Sequence, residues 1–445
     1  MENDDVSHDP ALRQPAPRLP LLAGVALLCC TSAAAQEGQG FAELRLAMSP
    51  GAEGELLQVV ERTRPSFTAD IAERLTLSTT IEAALVQGRD PSSEAERVLA
   101  GSDLGPVLAR AGCSFPPYDN ATLRVNRSAD YLDVDRLFLD AYLPWADVRV
   151  GRQAVHWGSA QFFNPTDPFP QVLLAEPWRP RRGVNAARVT VPFGDVHDAK
   201  AIVATDDVFG SFRGAGRVKL NWLETDVAVN GNYRSDTNVG FVGLDVRGTL
   251  GVGYWLEGGV RLDSDPHEEF VVGVDYSFPL LERLVLVAQY YRNGSGATDP
   301  DDYHRGGPFG AIAPPTCEDP AVQALVGTRN ADPFAQITAA RDYLMLGAML
   351  GATLDLTLNL FWLHNLNDGT GFVVPTVVYA LLGWLDVSVS AQIPFVLWGQ
   401  GGEFRPRDTD LAFAQVDPAS GQTLRADFSG LLPAAVITLW TRASF

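Results

Sequence analysis

The end of the chain alternates between two kinds of side chain, and this alternation restricts the possible folds more than any other feature. Apolar or small side chains occupy every second position: Ile437, Leu439, Thr441, Ala443 and Phe445. The positions between them hold Thr438, Trp440, Arg442 and Ser444. Because successive side chains of a β-strand point to opposite faces of the sheet, the pattern predicts a strand with one apolar face.

Segments with the same alternation recur along the chain. In the clearest one, the alternate apolar positions are Leu385, Val387, Val389, Ala391 and Ile393, and similar segments lie at 75–85 and 354–362. The opposite faces carry Asp, Arg, Glu, Asn and Ser. A soluble sandwich or soluble barrel is the weaker alternative, because strands this long would bury an oversized core. The pattern favours an all-β fold, a transmembrane antiparallel up-and-down β-barrel.

The connections between the predicted strands alternate between short and long. Tight turns are predicted near Ala72, Pro144, Asp195, Glu224, Gly251, Leu281, Thr353 and Gly383. The longest links run from Gly88 to Asp130, Gly158 to Gly183, Gly294 to Arg341 and Gly399 to Gly430. Transmembrane barrels have short turns at one end and long loops at the other. This scheme predicts about eighteen strands, to within about two, with both chain ends on the same side.

The composition is consistent with a barrel and excludes several other classes. Hydrophobic residues make up 46% of the chain, yet no run of about eighteen apolar residues follows the amino-terminal segment. Inside hydrocarbon only helices and closed sheets satisfy the backbone, so such a chain can cross a membrane only as a barrel. The net charge of −20 argues against nucleic acid as a partner. We expect no cofactor and no metal, because Asp299, Asp301, Asp302 and His304 lack the spacing of an EF-hand calcium loop.

The amino-terminal segment predicts export. An apolar run from Leu19 to Cys30 follows two arginines, and small residues then lead to a predicted cleavage site before Gln36. Residues 1–35 are therefore predicted to be a cleaved signal peptide, and residues 36–445 a single barrel domain. A lipoprotein attachment at Cys29 or Cys30 is a weaker alternative. Two cysteines, Cys113 and Cys317, remain after cleavage, and the sequence permits either a disulfide or two free thiols.

Two segments carry a resemblance to known families. A strand that ends in an aromatic residue resembles the terminal signature of bacterial outer-membrane β-barrels, which implies that Phe445 is the signal recognised by the barrel assembly machinery. The run Phe138 to Pro170 resembles a segment of proteobacterial outer-membrane porin-like barrels, including those similar to alginate-export porins. The matching positions are Gly151, Arg152, Gln153, Trp157 and Gly158. The resemblance implies passive transport across the outer membrane, with outer-membrane lipid and lipopolysaccharide as surroundings.

The third external loop, Trp157 to Gly183, is predicted to narrow the channel. Its five prolines make it stiff. Six large apolar side chains need cover, so the loop is expected to fold into the barrel: Phe162, Phe163, Phe169, Leu173, Leu174 and Trp178. This placement puts Arg179, Arg181 and Arg182 near the narrowest point, where they would favour anionic solutes. The alternative is that these arginines lie at the outer rim and bind lipopolysaccharide phosphates.

Further charged and polar residues are predicted to line the pore. They are Arg149, Arg152, Gln153, His156, Arg217, Lys219, Asp245, Arg247, Glu257 and Arg261. Structural ion pairs along the wall are the simpler interpretation of these charges. Val148 and Val150 set the lipid face of one strand, which would place Arg152 in lipid at a cost of roughly 2 to 4 kcal/mol. A β-bulge at Gly151 is therefore predicted to turn Arg152 inward.

The function predicted from these features is a porin-like channel for passive diffusion of small hydrophilic solutes, with anions favoured if the arginines face inward. An adhesin or assembly factor that acts through its external loops is an alternative. An outer-membrane hydrolase is a weaker one, because the histidines after residue 35 form no catalytic motif: His156, His197, His267, His304 and His364. We predict no enzyme activity, and the sequence leaves the oligomeric state open.

Overall fold

The computed structural model describes most of the chain after the predicted signal peptide. The described residues are 37–51, 54–88, 102, 105–113, 125–127, 130–169, 180–205, 209–235, 237–303, 317–318, 338–405, 412–416, 423–427 and 435–445. The predicted signal peptide and its cleavage site lie outside these ranges. Among the described residues, no helix is long and apolar enough to cross a membrane.

The described strands form one large antiparallel sheet. The strands are β1 (Glu37–Gly51), β2 (Gly54–Ala72), β3 (Leu75–Gly88), β4 (Val125–Arg127), β5 (Asp130–Tyr142), β6 (Asp147–Gln153), β7 (Val184–Phe193), β8 (His197–Thr205), β9 (Phe212–Trp222), β10 (Thr225–Arg234), β11 (Val239–Thr249), β12 (Gly253–Leu262), β13 (His267–Phe278), β14 (Arg283–Asn293), β15 (Asp342–Gly351), β16 (Leu356–Asn365), β17 (Thr370–Leu382), β18 (Leu385–Val396) and β21 (Val436–Ser444). A separate hairpin pairs β19 (Ala412–Val416) with β20 (Thr423–Asp427). A short helix α1 (Gly105–Arg110) and a 3-10 turn (Pro300–Asp302) complete the described elements.

The sheet closes on itself. Of the nineteen strands that it contains in the described part of the chain, β4 only extends the edge of β5, and the other eighteen pair in a closed circuit. β21 pairs with β18 on one side and with β1 on the other, in a register that runs from Phe41 opposite Ser444 to Met48 opposite Ile437. The predicted eighteen-stranded up-and-down barrel is confirmed.

The two ends of the barrel have different connections. At one end, eight tight turns join consecutive described strands, and each includes or adjoins the residue at which a turn was predicted, from Ala72 to Gly383. At the other end lie the long loops, including the predicted links between β3 and β5, β6 and β7, β14 and β15, and β18 and β21. Both ends of the circuit, Glu37 of β1 and Ser444 of β21, lie on the side of the tight turns. We call residues 154–183, between β6 and β7, loop 3.

The outer face of the barrel is apolar and the inner face is polar. On β10 and β11, Val229 and Val242 are more than half exposed, whereas Asn230 and Asp245 are almost fully buried. Three exposed tryptophans lie at the turn end, Trp145, Trp222 and Trp384, and a fourth, Trp398, follows β18 at the loop end. This distribution is the reverse of that in a water-soluble protein and suits a sheet surrounded by acyl chains with an aromatic girdle. It contradicts the sandwich alternative.

A disulfide between Cys113 and Cys317 joins two external loops, the one after β3 and the one after β14. The bonded residues are 204 positions apart in the chain. A backbone hydrogen bond from Glu318 N to Ala111 O, 3.0 Å long, supports the same contact. The sequence left free thiols open, and the structure shows the pair bonded.

Candidate functional site

The described part of loop 3 lies inside the barrel and is held there by one carboxylate. The side chain of Glu257, on β12, is fully buried. Its Oε2 accepts hydrogen bonds from Ser159 N at 2.9 Å and Ala160 N at 3.2 Å. Its Oε1 accepts from Thr166 N at 2.9 Å and Thr166 Oγ1 at 2.8 Å. Loop 3 therefore docks two separate segments on a single wall residue.

Gly158 allows loop 3 to approach Glu257 closely. Its φ of +85° lies in the region that residues with a Cβ rarely adopt. A Cβ at this position would lie 2.6 Å from Glu257 Oε2 and 2.8 Å from Asn164 Oδ1. The glycine of the Trp-Gly pattern is thus explained by its backbone conformation and by the space that the carboxylate occupies.

Aromatic side chains cover the apolar part of loop 3, as predicted for an inward-folding loop. Phe163 stacks on Tyr291 with 4.5 Å between ring centroids and also contacts Tyr343 at 5.6 Å. Phe162 contacts Phe361 of β16 at 5.1 Å. These wall residues belong to β14, β15 and β16. Leu173, Leu174 and Trp178 lie outside the described residues.

The start of loop 3 packs against another part of the wall. Val155 and Trp157 form a buried cluster with Phe169 and with inward side chains of β7 and β8: Val184, Ala186, Ile202 and Ala204. Arg213 of β9 donates a hydrogen bond to Pro168 O and lies over the Phe169 ring, 5.0 Å from its centroid. Loop 3 consequently contacts the β7–β9 wall and the β12–β16 wall, and so narrows the lumen.

A buried carboxylate organises the charged part of loop 3. Asp167 has no exposed side-chain surface, and its Oδ2 accepts a 2.6 Å hydrogen bond from Arg181 Nη1. The same oxygen lies 3.3 Å from His156 Nδ1, and Oδ1 accepts from Phe169 N at 3.0 Å. Arg181 also donates to Val155 O at 3.4 Å. Asp167 therefore holds Arg181 and His156 side by side.

The neighbouring arginines of loop 3 lie close to β5. Arg136 of β5 donates a hydrogen bond to Arg181 O. Arg182 Nη2 lies 3.8 Å from Asp133 Oδ2, also on β5. Arg179, the third predicted constriction residue, lies outside the described residues. Arg181 and Arg182 thus sit against the inner wall of the barrel.

Ion pairs line the wall on either side of loop 3. Arg149 donates to both oxygens of Asp140, at 2.6 Å and 2.9 Å. Arg217 Nη2 donates to Asp245 Oδ2 at 2.9 Å, and Ser159 Oγ of loop 3 bonds the other oxygen of Asp245.

Three more of the predicted lining residues complete this arrangement. Arg261 donates to Glu269 Oε1 at 2.6 Å. Lys219 Nζ lies 3.7 Å from Asp226. Arg247 is exposed, and its strand partner in the register is Asp226.

In most of these pairs the basic partner is the one that water reaches. The exposed fraction of the side chain is 26% for Arg149 against 10% for Asp140, and 25% for Arg181 against 0% for Asp167. The pair of Arg442 with Glu43 follows the same rule, at 25% against 0%. Lys219 and Asp226 are an exception, because there the acid is more exposed. Arg62 and Glu82 are a second exception, since both are buried, at 5% and 7%. In the pairs of Arg149, Arg181 and Arg442 the acid thus lies behind the guanidinium group that water reaches.

The prediction that a β-bulge at Gly151 turns Arg152 inward is wrong. Arg152 pairs with Leu137, an outward position of β5, and is covered there by neighbouring protein. β6 pairs with β5 and β7 without a register shift through Gly151. Gly151 instead has a φ of +126°, and a Cβ there would lie 2.2 Å from Leu137 O. Arg152 is 5% exposed, and its Cγ would lie 2.9 Å from a Cβ on Gly183.

The register shift occurs one strand away, in the ladder between β3 and β5. Thr80 pairs with Arg136 and Ile81 with Val134, so Asp135 is an extra residue in β5. The sequence contains a signal for this bulge that the prediction missed. The outward apolar positions of β5 change from even numbers, Leu132 and Val134, to odd numbers, Leu137 and Leu139.

Gln153 and Glu257, both predicted to line the pore, are fully buried. Gln153 is fully buried and its Nε2 donates to Ala186 O at 2.9 Å. Glu257 anchors loop 3. Sequence reasoning also missed Asp167, whose position between two prolines in the loop was its only distinguishing feature. Among the residues that the structure describes, no group of three or more His, Cys, Asp or Glu side chains could hold a metal ion.

Comparisons with known proteins give matches only at the level of solved structures. No protein-family model matches the chain, and no curated protein sequence matches it. Pseudomonas aeruginosa OccK5 (OpdH) matches with a TM-score of 0.48 and 10% identity, over 93% of this chain and 99% of that one. P. aeruginosa OccK11 (OpdR) has a TM-score of 0.48 and 12% identity, over 92% and 96%.

Wzi, an Escherichia coli outer-membrane protein involved in group 1 capsule assembly and described as a carbohydrate-binding β-barrel, has a TM-score of 0.49 and 8% identity, over 96% of this chain and 88% of that one. These three TM-scores are below 0.5 and the identities are low, so the function proposed below rests on the contacts within this chain.

Proposed function

We propose that this chain is an outer-membrane channel for passive diffusion of small hydrophilic solutes, with a preference for anions. One observation carries the proposal: a loop folded inside a closed barrel faces a wall whose ion pairs expose their basic members. Eighteen strands enclose a lumen too wide for wall side chains alone to fill. Loop 3 narrows that lumen without belonging to a separate plug domain.

The exterior supports the proposed location. An apolar outer face with aromatic residues at its borders fits the hydrocarbon and headgroup layers of a membrane. Lipid and lipopolysaccharide would surround such a face. The last residue takes part in barrel closure, because Phe445 N donates to Gly40 O at 3.0 Å and Gly40 N donates to Phe445 O at 2.8 Å. Its recognition by the barrel assembly machinery remains a prediction, as does the resemblance of Phe138 to Pro170 to alginate-export porins.

The preference for anions follows from the arrangement of the ion pairs. Each buried acid fixes a guanidinium group and neutralises part of its charge, but the solute meets the guanidinium first. Arginine presents several N–H donors in one plane and is suited to carboxylate and phosphate groups. Charged side chains at a narrow section of a pore decide which ions pass, so Arg181 of loop 3 is expected to favour anions, and Arg149 adds a basic group to the wall nearer the turns.

Ion conductance tests the proposal directly. The refolded or detergent-extracted barrel is added to a planar lipid bilayer, and single-channel currents are recorded in potassium chloride. We expect discrete conductance steps and a reversal potential in a salt gradient that reports chloride as the more permeant ion. A folded barrel that inserts and carries no current would refute the channel. Current with potassium as the more permeant ion would refute only the preference for anions.

A further inference from the structure

His156 faces the lumen because its two neighbours face the wall. Val155 and Trp157 are each 3% exposed and pack among the inward residues of β7 and β8, including Val184 and Ile202. In an extended segment, the side chain between two wall-facing residues points the other way. The His156 side chain is accordingly 51% exposed.

The imidazole of His156 has a defined orientation. Its Nδ1 lies 3.3 Å from Asp167 Oδ2, the oxygen that also accepts from Arg181 Nη1 at 2.6 Å. Because a carboxylate only accepts hydrogen bonds, Nδ1 must carry the hydrogen of the neutral ring. An added proton would therefore bind at Nε2, on the side of the ring away from Asp167.

The charged groups around His156 are arranged so that this proton adds a new positive charge at the lumen surface. Within loop 3, Asp167 and Arg181 face the imidazole. The nearest arginines on the wall contact the backbone of loop 3 instead: Arg136 of β5 donates to Arg181 O, and Arg213 of β9 donates to Pro168 O. Asp167 is the acid that the described contacts give to His156, and Arg181 already engages it at the shorter distance. Protonation of His156 would thus add one positive charge to a site where Asp167 already neutralises Arg181.

We propose that His156 is a second specificity-determining residue of the constriction, which strengthens the preference for anions when it is protonated. The inference rests on the proposed channel function. Histidine is the side chain whose charge ordinarily changes between about pH 5 and about pH 8. A unit charge beside the ion path attracts anions and repels cations, so the ratio of chloride to potassium permeability should rise about twofold or more at the acidic end of this range.

Reversal potentials at two pH values test the inference. Measurements in a potassium chloride gradient at about pH 5 and about pH 8 compare the wild type with His156→Gln, which stays neutral, and His156→Lys, which stays charged. Other titrating groups contribute equally to all three proteins. We expect the wild type to show the largest shift in permeability ratio between the two pH values. His156→Gln and His156→Lys should both show only the shared background shift, and at about pH 8 His156→Lys should have the higher ratio of chloride to potassium permeability than the wild type.

The outcomes separate this inference from the proposed function. If none of the folded proteins carries current, the channel itself is refuted. If all conduct and His156→Gln shows the same shift in permeability ratio as the wild type, the role of His156 is refuted and the channel stands. Folding of each variant is checked by the change in gel migration on heating. If a variant does not fold, the pH dependence of the permeability ratio of the wild type decides. A ratio that is constant between about pH 5 and about pH 8 overturns the inference.

Discussion

Thr166 and Glu257 are joined by two hydrogen bonds to one oxygen, because both the backbone N and the Oγ1 of Thr166 donate to Glu257 Oε1, at 2.9 Å and 2.8 Å. Thr166 belongs to loop 3 and Glu257 to β12, 91 residues further along the chain. The other oxygen of Glu257 accepts from Ser159 N and Ala160 N. All four donors are buried with the carboxylate, so the position of loop 3 depends strongly on this side chain.

Replacement of Glu257 by Gln is expected to loosen loop 3. The new amide group is a donor and would face two N–H or O–H donors of the loop, which leaves buried groups unsatisfied at a cost of about 1 to 3 kcal/mol each. We expect a larger and noisier single-channel conductance and a lower temperature for the loss of heat-resistant gel migration. Glu268→Gln is the matched control, because the Glu268 side chain is 54% exposed and pairs with Arg292 rather than with loop 3. Equal conductances for the two variants would show that Glu257 does not fix the loop.

Replacement of Gly158 by Ala tests the close approach of loop 3 to the wall. The added Cβ would overlap Glu257 Oε2 at 2.6 Å and would also hold an unfavourable positive φ, a strain of about 1 to 3 kcal/mol. Gly251→Ala is the matched control, since Gly251 has a φ of +78° but no neighbour within 4 Å of its Cβ. Only Gly158→Ala should change the conductance. The same conductance change in both variants would trace the effect to backbone strain and not to the carboxylate contact.

The barrel itself could be predicted from sequence because its signals are local and repeated. Alternating apolar side chains, such as those from Leu385 to Ile393, predict where each strand lies. Tight turns, such as the one at Gly251, predict where one strand ends and the next begins. Almost every strand pairs with the next one along the chain, so these two local signals also predict the order of strands in the sheet. Closure adds one nonlocal pair, between β1 and β21, which an even strand count permits because the first and last strands then run antiparallel.

The site was only partly predictable because its contacts are long-range. Glu257 and Thr166 were not recognised as a pair, since nothing in the spacing of 91 residues indicates that they meet. The bulge was placed at Gly151 because regular alternation from Val148 and Val150 would put the charge of Arg152 in lipid. The extra residue is Asp135 on the neighbouring strand, where only the change in apolar phase from Val134 to Leu137 shows it.

Removal of the disulfide is expected to lower stability without abolishing the barrel. The bond between Cys113 and Cys317 joins loops and no strand, so the closed sheet should form without it. Cross-links that close long segments typically contribute about 2 to 4 kcal/mol. Cys113→Ser, Cys317→Ser and the double variant should all lower the unfolding temperature by the same amount, because each removes the same bond. Thiol labelling of the unfolded, unreduced wild type is the check, and reactive thiols there would contradict the bond.

The replacement of Arg181 by Ala is expected to weaken the preference for anions. Arg181 is 25% exposed while its partner Asp167 is fully buried, so the change removes the group that the solute meets and leaves a buried acid. Loss of one unit charge beside the ion path should reduce the ratio of chloride to potassium permeability about twofold or more, as measured by the reversal potential. Arg74→Ala is the matched control, because it removes the same charge from an exposed turn between β2 and β3. The backbone oxygen of Arg74, which accepts from Tyr142 N, is unchanged by the substitution. If Arg181→Ala and Arg74→Ala shift the reversal potential equally, the effect reflects net charge, and Arg181 does not set selectivity at the constriction.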